Sequence, residues 1–83
     1  MKHLVRSPLQ LGGVIKRIRK LKQLTQSELG QKINMRQATL SNLESGLEGV
    51  KLGTLLNVLA ALDSEIIIQP RTVNRRLGAD KKP

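Results

Sequence analysis

Apolar residues recur every three or four positions through the first part of the chain, the spacing of helices that bury one face. Ser7 can cap a first turn, and Pro8 suits the first helical position. The pattern predicts a helix over about 8–22, with the apolar stripe Leu11, Val14, Ile15, Ile18 and Leu21. Gly12 and Gly13 would each weaken this helix by about 1 kcal/mol relative to alanine, unless another backbone packs closely there.

Two shorter helices follow. Thr25 and Glu28 have the spacing of a capping box, in which the threonine hydroxyl and the glutamate carboxylate satisfy each other's backbone N–H groups. We predict that this second helix ends near Asn34, because asparagine tolerates the left-handed conformation of a tight turn. A third helix is predicted over Arg36 to Ser45, with Gly46 as its stop. The inward side chains of this pair are Leu29, Ile33, Leu40 and Leu43.

A fourth helix is predicted near 52–62, burying Leu52, Leu55, Leu56, Leu59 and Leu62. Beyond it, Ile66, Ile67 and Ile68 lie in a segment ended by Pro70, and three consecutive β-branched residues predict one short strand over about 65–69. The chain contains no second convincing strand, so we expect this strand to pair with its copy in a two-fold homodimer.

In that paired ribbon, Ile66 and Ile68 would face the helices and Ile67 the opposite side. The alternative is an irregular apolar tail packed on its own core. The predicted fold class is therefore all-α, with four to five helices and one short C-terminal strand that pairs across a homodimer. Residues 1–70 would form one domain, which includes the dimerisation strand, and 71–83 a basic flexible tail.

Composition narrows the possible functions. The 83 residues carry a formal charge of +9, which favours a polyanion partner, although a solvated helix face and a solubilising tail would give the same count. With one histidine, no cysteine and no clustered carboxylates, we predict no enzyme activity, no cofactor and no metal site. The absence of Phe, Tyr and Trp removes the usual stacking platforms for single-stranded nucleic acid. Because the first residues lack a hydrophobic signal region, we expect a cytoplasmic protein without membrane association.

The second and third helices have the lengths, turn and apolar spacing of a helix-turn-helix unit. With their leucines turned inward, the residues left outward on the third helix are Arg36, Gln37, Ala38, Ser41 and Asn42. Arginine can bond both acceptors of guanine, glutamine suits adenine, and an alanine methyl permits close contact with thymine. We therefore predict that these residues read bases, and that Gln26, Thr39 and Lys51 contact the DNA backbone. The alternative is that these side chains are solvated and that Arg36 pairs with Glu44 or another acidic residue.

Two motifs carry a family resemblance. Gln26-Ser27-Glu28-Leu29 and the run from Gln37 to Gly46 resemble the phage-repressor (Cro/XRE) class of helix-turn-helix domains over about 8–62. The chain more closely resembles the HipB-like antitoxins of HipA-type kinase toxin–antitoxin systems, on Ser7-Pro8, Thr25 to Leu29, Gln37 to Asn42 and the predicted strand.

The resemblance implies a homodimer whose C-terminal strands pair, a palindromic double-stranded DNA operator bound for autorepression, and a complex with a HipA-like serine/threonine kinase toxin. It places Arg36, Gln37, Ala38 and Ser41 at base-contacting positions. The basic tail lacks an aromatic residue, so a mode of toxin binding through a tail tryptophan does not carry over.

The predicted function is therefore an antitoxin and DNA-binding autorepressor of a type II toxin–antitoxin operon, associated with the nucleoid when bound to its operator. One alternative is a free-standing repressor of the same class without a toxin. Another, of a different class, is a basic protein that binds RNA or coats the nucleoid through charge alone.

Overall fold

The computed structural model describes residues 2–71, which form four α-helices and no strand. They are α1 (Pro8–Leu21), α2 (Gln26–Lys32), α3 (Gln37–Glu44) and α4 (Leu52–Ala61). The all-α prediction is confirmed, and the predicted ends agree with the observed ones to within one or two residues. The predicted basic tail lies outside the described residues, apart from Arg71.

Local side-chain caps start the first two helices. The Ser7 hydroxyl accepts a hydrogen bond from the Gln10 N–H at 3.1 Å, and Pro8 occupies the first turn. At α2 the predicted capping box is complete, because the Glu28 N–H donates to the Thr25 hydroxyl at 3.0 Å and the Thr25 N–H donates to the Glu28 carboxylate at 2.8 Å. These bonds satisfy N–H groups that have no partner within the helix.

Each of the four helices ends at a residue in the left-handed conformation, which lets the next N–H bond back to a carbonyl of the last turn. The left-handed residues are Gln23, Asn34, Gly46 and Asp63. At α2, Asn34 has φ 55°, and the following Met35 N–H donates to the Gly30 carbonyl at 2.8 Å. The predicted roles of Asn34 and Gly46 are confirmed, and the turn at Asn34 sets the angle at which α3 leaves α2.

The core takes side chains from all four helices: Ile15, Leu29, Leu40, Leu43, Val58, Leu59 and Leu62. Within this arrangement α3 packs against both α1 and α2. The predicted inward face of the second and third helices is confirmed, with Ile33 half-buried at its edge.

The α1–α3 contact explains one of the two adjacent glycines in α1. A methyl group added at Gly12 would lie 2.5 Å from the carbonyl oxygens of Leu43 and Glu44, whereas one added at Gly13 would meet nothing within 4 Å. The close backbone approach that would justify a glycine in this helix therefore exists at Gly12 and not at Gly13.

Three predicted core leucines are exposed. Leu21 is 72% exposed, Leu52 66% and Leu56 45%. In α4, the predicted Leu59 and Leu62 are buried and the predicted Leu55 is half-buried, while Val58, which was not predicted, is completely buried. Apolar residues cover so much of α4 that the three-and-four spacing fits more than one face, and packing against the other helices selected this one.

Residues 64–71 have no regular secondary structure in the single chain. Ile66 is 47% exposed, Ile67 63% and Ile68 94%. Ile68 therefore does not pack against the helices of its own chain, and the orientation expected for it in a paired ribbon stays a prediction. The alternative of an apolar tail packed on its own core fails, because all three side chains are exposed. Pairing of this segment with a second copy stays a prediction.

Candidate nucleic-acid interface

The five side chains predicted to read bases lie at one exposed surface. Arg36 immediately precedes α3, and Gln37, Ala38, Ser41 and Asn42 lie on it; all five are exposed. Leu40 and Leu43 are buried on the opposite side of the helix. The α3 helix thus has one apolar face that fixes it to the core and one polar face that a groove could receive.

The three residues predicted to contact the DNA backbone are not equivalent. Gln26 is the first residue of α2 and is half-buried, Thr39 is half-buried on α3, and Lys51 is exposed immediately before α4. Only Gln26 is joined to the base-reading set, because the Gln37 Nε2 lies 3.4 Å from the Gln26 Oε1. Among residues 2–71, no side-chain hydrogen bond links Thr39 or Lys51 to that set.

A buried ion pair lies directly beneath this surface. The Arg19 guanidinium from α1 donates from Nε to Glu44 Oε2 at 2.6 Å and from Nη2 to Glu44 Oε1 at 2.9 Å. Its Nη1 donates to the Leu24 carbonyl at 2.7 Å, so all three nitrogens are used. The side chains are only 7% and 3% exposed. This two-point contact fixes the end of α3 to α1 with a defined geometry.

The charges of the pair are mutually stabilised. The hydrogen bond to Glu44 raises the pKa of Arg19, against the opposing effect of its own burial. Burial alone would raise the pKa of Glu44. Hydrogen bonds from Arg19 and Gln26, together with the charges of Arg19 and Lys16, outweigh burial and lower it. Glu44 is therefore an ionised, acceptor-only carboxylate at neutral pH.

The sequence interpretation assigned neither residue this role. The alternative that Arg36 pairs with Glu44 is wrong, because Arg19 occupies that carboxylate. A signal was present: Arg19 lies four positions after buried Ile15, and Glu44 four after buried Leu40. Opposite charges on two buried faces favour a pair, since isolated charges are rarely buried.

A line of polar contacts runs from this pair to the exposed surface. Glu44 Oε1 accepts a further hydrogen bond from the Gln26 Nε2 at 3.1 Å, and the Gln26 Oε1 in turn accepts from Gln37. Two elements therefore support the Gln37 side chain: α3 carries it, and the half-buried Gln26 of α2 holds its amide.

Exposed basic side chains lie on α1 and at the starts of α3 and α4. Lys16, Arg17 and Lys20 are exposed on α1, and Arg36 and Lys51 precede α3 and α4. In the part of the chain that the structure describes, no group of three or more histidine, cysteine or carboxylate side chains could hold a metal ion. Nor is any helix between residues 2 and 71 both long and apolar enough to cross a bilayer.

Both the fold and this surface are those of a helix-turn-helix domain of the Cro/XRE type. The chain belongs to the helix-turn-helix family HTH_3, which matches residues 15–68. It is similar to antitoxin HipB from Escherichia coli K12 and to its counterpart from Escherichia coli O6:H1 strain CFT073, at 40% identity over 57 residues in both cases. Those residues are 69% of this chain and 65% and 61% of the two relatives.

Solved structures of HipB give the same result. A HipB–O4 20mer complex and a HipA–HipB–O2–O3 complex each match with a TM-score of 0.77 at 33% identity, over 83% of this chain and 97% of the matched one. The resemblance to HipB-like antitoxins that the motifs indicated is thereby confirmed.

Proposed function

We propose that this protein binds double-stranded DNA specifically, through α3 in the major groove. The observation that carries the proposal is the exposed polar face of α3, on which the Gln37 amide donates to Gln26, whose own amide donates to Glu44. Arg36, Gln37, Ala38, Ser41 and Asn42 read base edges, while Gln26, Thr39 and Lys51 contact the sugar–phosphate backbone. The basic residues of α1 supply the attraction to phosphate that does not depend on sequence.

We further propose that the protein is an antitoxin and the autorepressor of its own operon, and that it is not an enzyme. Its similarity to antitoxin HipB and to a HipA–HipB–O2–O3 complex supports this role. The partners are then a palindromic operator, a HipA-like serine/threonine kinase toxin and a second copy of the chain. The protein works in the cytoplasm and associates with the nucleoid when it is bound to its operator.

The first test is a mobility shift with DNA from just upstream of the protein's own gene, in the presence of excess unrelated DNA. Wild type should bind specifically, and Gln37→Ala should lose preference at one base position, by about tenfold. Asn57→Ala, an exposed amide on α4, is the matched control and should bind as wild type does. If competitor DNA removed the wild-type and Gln37→Ala complexes equally, binding through charge alone would be favoured instead.

Salt dependence provides a second check on the DNA contact. The logarithm of the association constant should fall linearly with the logarithm of salt concentration, with a slope of about 0.9 for each phosphate neutralised. An affinity unchanged between low and moderate salt would contradict the proposal.

The toxin role is tested separately, by titrating the purified protein into a HipA-type kinase and measuring heat of binding and kinase activity. Binding is expected with the protein both free and on its operator. Specific DNA binding without any kinase binding would support the alternative function, a free-standing repressor without a toxin.

A further inference from the structure

We infer that a ridge on the outer side of α1, formed by Gly13, Arg17 and Leu21, is the docking surface for an acidic segment of the partner kinase. The inference rests on the proposed antitoxin function and extends it by naming the surface that the kinase contacts. The three residues follow one another at intervals of four, so they lie on one face of the helix. All three are exposed, and the core contains none of them.

Gly13 weakens α1 without a compensating contact in the described chain. A glycine inside a helix lowers its stability relative to alanine. A methyl group added at Gly13 would meet nothing within 4 Å, so no contact among residues 2–71 requires a glycine there. At Gly12, by contrast, the missing side chain lets the α3 backbone approach closely. Close approach by another molecule would explain Gly13 in the same way.

The other two residues of the ridge also lack contacts that would explain them. The Leu21 side chain is 72% exposed, although the apolar spacing of α1 predicted it to be buried. Arg17 belongs to neither of the two ion pairs observed among residues 2–71. The ridge therefore presents a positive charge between an exposed apolar side chain and a stretch of uncovered backbone.

The charge of α1 identifies the kind of partner. The helix contains no aspartate or glutamate, and its exposed side also carries Lys16 and Lys20. Basic residues three or four positions apart on a helix repel each other, so carboxylates from a partner would relieve a repulsion that α1 does not relieve itself. A second copy of this chain does not fit, because a two-fold contact centred on the ridge would bring the two Arg17 side chains together.

The ridge also faces away from the surface proposed to contact DNA. The residues of α1 that meet α3 include Gly12 and Arg19. At about 100° of rotation per residue, Arg17 lies about 150° around the helix axis from both of them. Lys16 lies only about 50° from them, and its charge reaches Glu44. A partner on the ridge would therefore leave the exposed face of α3 open to DNA.

The first test places a side chain in the open space at Gly13. In Gly13→Gln, glutamine is a better helix former than glycine, so the variant should unfold at a higher temperature than wild type. Its side chain would block close approach, and titration calorimetry should show at least about tenfold weaker binding to a HipA-type kinase. Gly53→Gln is the matched control, because Gly53 is also an exposed helical glycine with open space around it. It should bind the kinase as wild type does.

The charge of the ridge is tested separately. Arg17→Glu should weaken kinase binding by about tenfold or more at low salt, and by less at high salt because ions screen the repulsion. Lys32→Glu, at the end of α2, changes the net charge equally and should bind the kinase as wild type does. Equal losses in the two variants would show that net charge governs binding, and would overturn the inference. Leu21→Asn tests the same surface if either ridge variant fails to fold.

The outcomes distinguish the inference from the proposed function. If wild type binds no HipA-type kinase, the antitoxin role fails and the inference with it. If wild type binds the kinase and Gly13→Gln binds it equally well, the inference alone is wrong. Loss of operator affinity in Gly13→Gln, with kinase binding unchanged, would assign the ridge to DNA. Loss of dimers in sedimentation would assign it to a second copy, and either result would overturn the inference.

Discussion

The contact between α1 and α3 is complete within one chain, whereas α4 and residues 66–68 both leave apolar side chains uncovered. Beneath α3, the charged groups of Arg19 and Glu44 satisfy each other, and Gly12 lets the two backbones meet. By contrast, Leu52 and Leu56 of α4 remain exposed in the single chain, and so do the three isoleucines at 66–68. A surface that recognises bases has to be held rigidly within each copy. Exposed apolar side chains, in contrast, favour association with another molecule.

The largest effect is expected from breaking the ion pair. Arg19→Met leaves the Glu44 carboxylate buried without its charged partner, and should lower the free energy of unfolding by about 3–5 kcal/mol. Lys22→Met is the control, because the Lys22–Asp63 pair is exposed and should contribute about 0–1 kcal/mol. Urea unfolding of both variants measures the difference, and equal losses would mean that burial does not matter here.

Substitution of the exposed isoleucines should change dimer formation rather than the stability of the folded chain. Ile67→Lys is expected to weaken the proposed homodimer by about 3 kcal/mol, since burial of an isoleucine is worth about 1.5 kcal/mol or more and is lost in both copies. Monomer stability should change little, because Ile67 is already exposed. Sedimentation across a concentration series measures the effect. If Ile66→Lys, Ile67→Lys and Ile68→Lys all left dimers intact, the paired strand would be the wrong interface.

The two glycines of α1 offer a matched pair with effects of opposite sign. Gly12→Ala should destabilise the protein by about 1–3 kcal/mol, because its methyl group would overlap the α3 carbonyls. Gly13→Ala should stabilise it by up to about 1 kcal/mol through helix propensity, since the space there is open. Thermal unfolding of the two variants checks this, and destabilisation by both would contradict the close approach at Gly12 alone.

The smallest effect is expected from pH. Because the pKa of Glu44 is lowered in the folded chain, its contribution to stability is present above the ordinary glutamate pKa and is lost as pH falls through the folded value. The loss should be smaller than in Arg19→Met, since a protonated carboxyl can still accept hydrogen bonds. Urea unfolding from neutral to acidic pH should show a steeper decline in wild type than in Glu44→Gln; parallel curves would contradict it.

Short-range chemistry made much of the fold predictable from the sequence. Thr25 and Glu28 lie three residues apart, and Asn34 needs only its own backbone conformation. Neither the capping box nor the turn therefore depends on a tertiary contact. The polar face of α3 followed as well, because Leu40 and Leu43 leave only one direction for Gln37 and its neighbours.

Contacts between distant segments decided the rest. Spacing alone could not select the buried stripe of α4, because leucines cover several of its faces and only packing chose Val58 over Leu52 and Leu56. Spacing places Arg19 and Glu44 on inward faces but does not join them, because they are 25 residues apart and come together only when α3 packs on α1. The sequence by itself determined where the helices lie and which face of α3 is polar, since local hydrogen bonds and periodicity encode both. Only the tertiary structure decided what holds Gln37 in place, because that support comes from three separate helices.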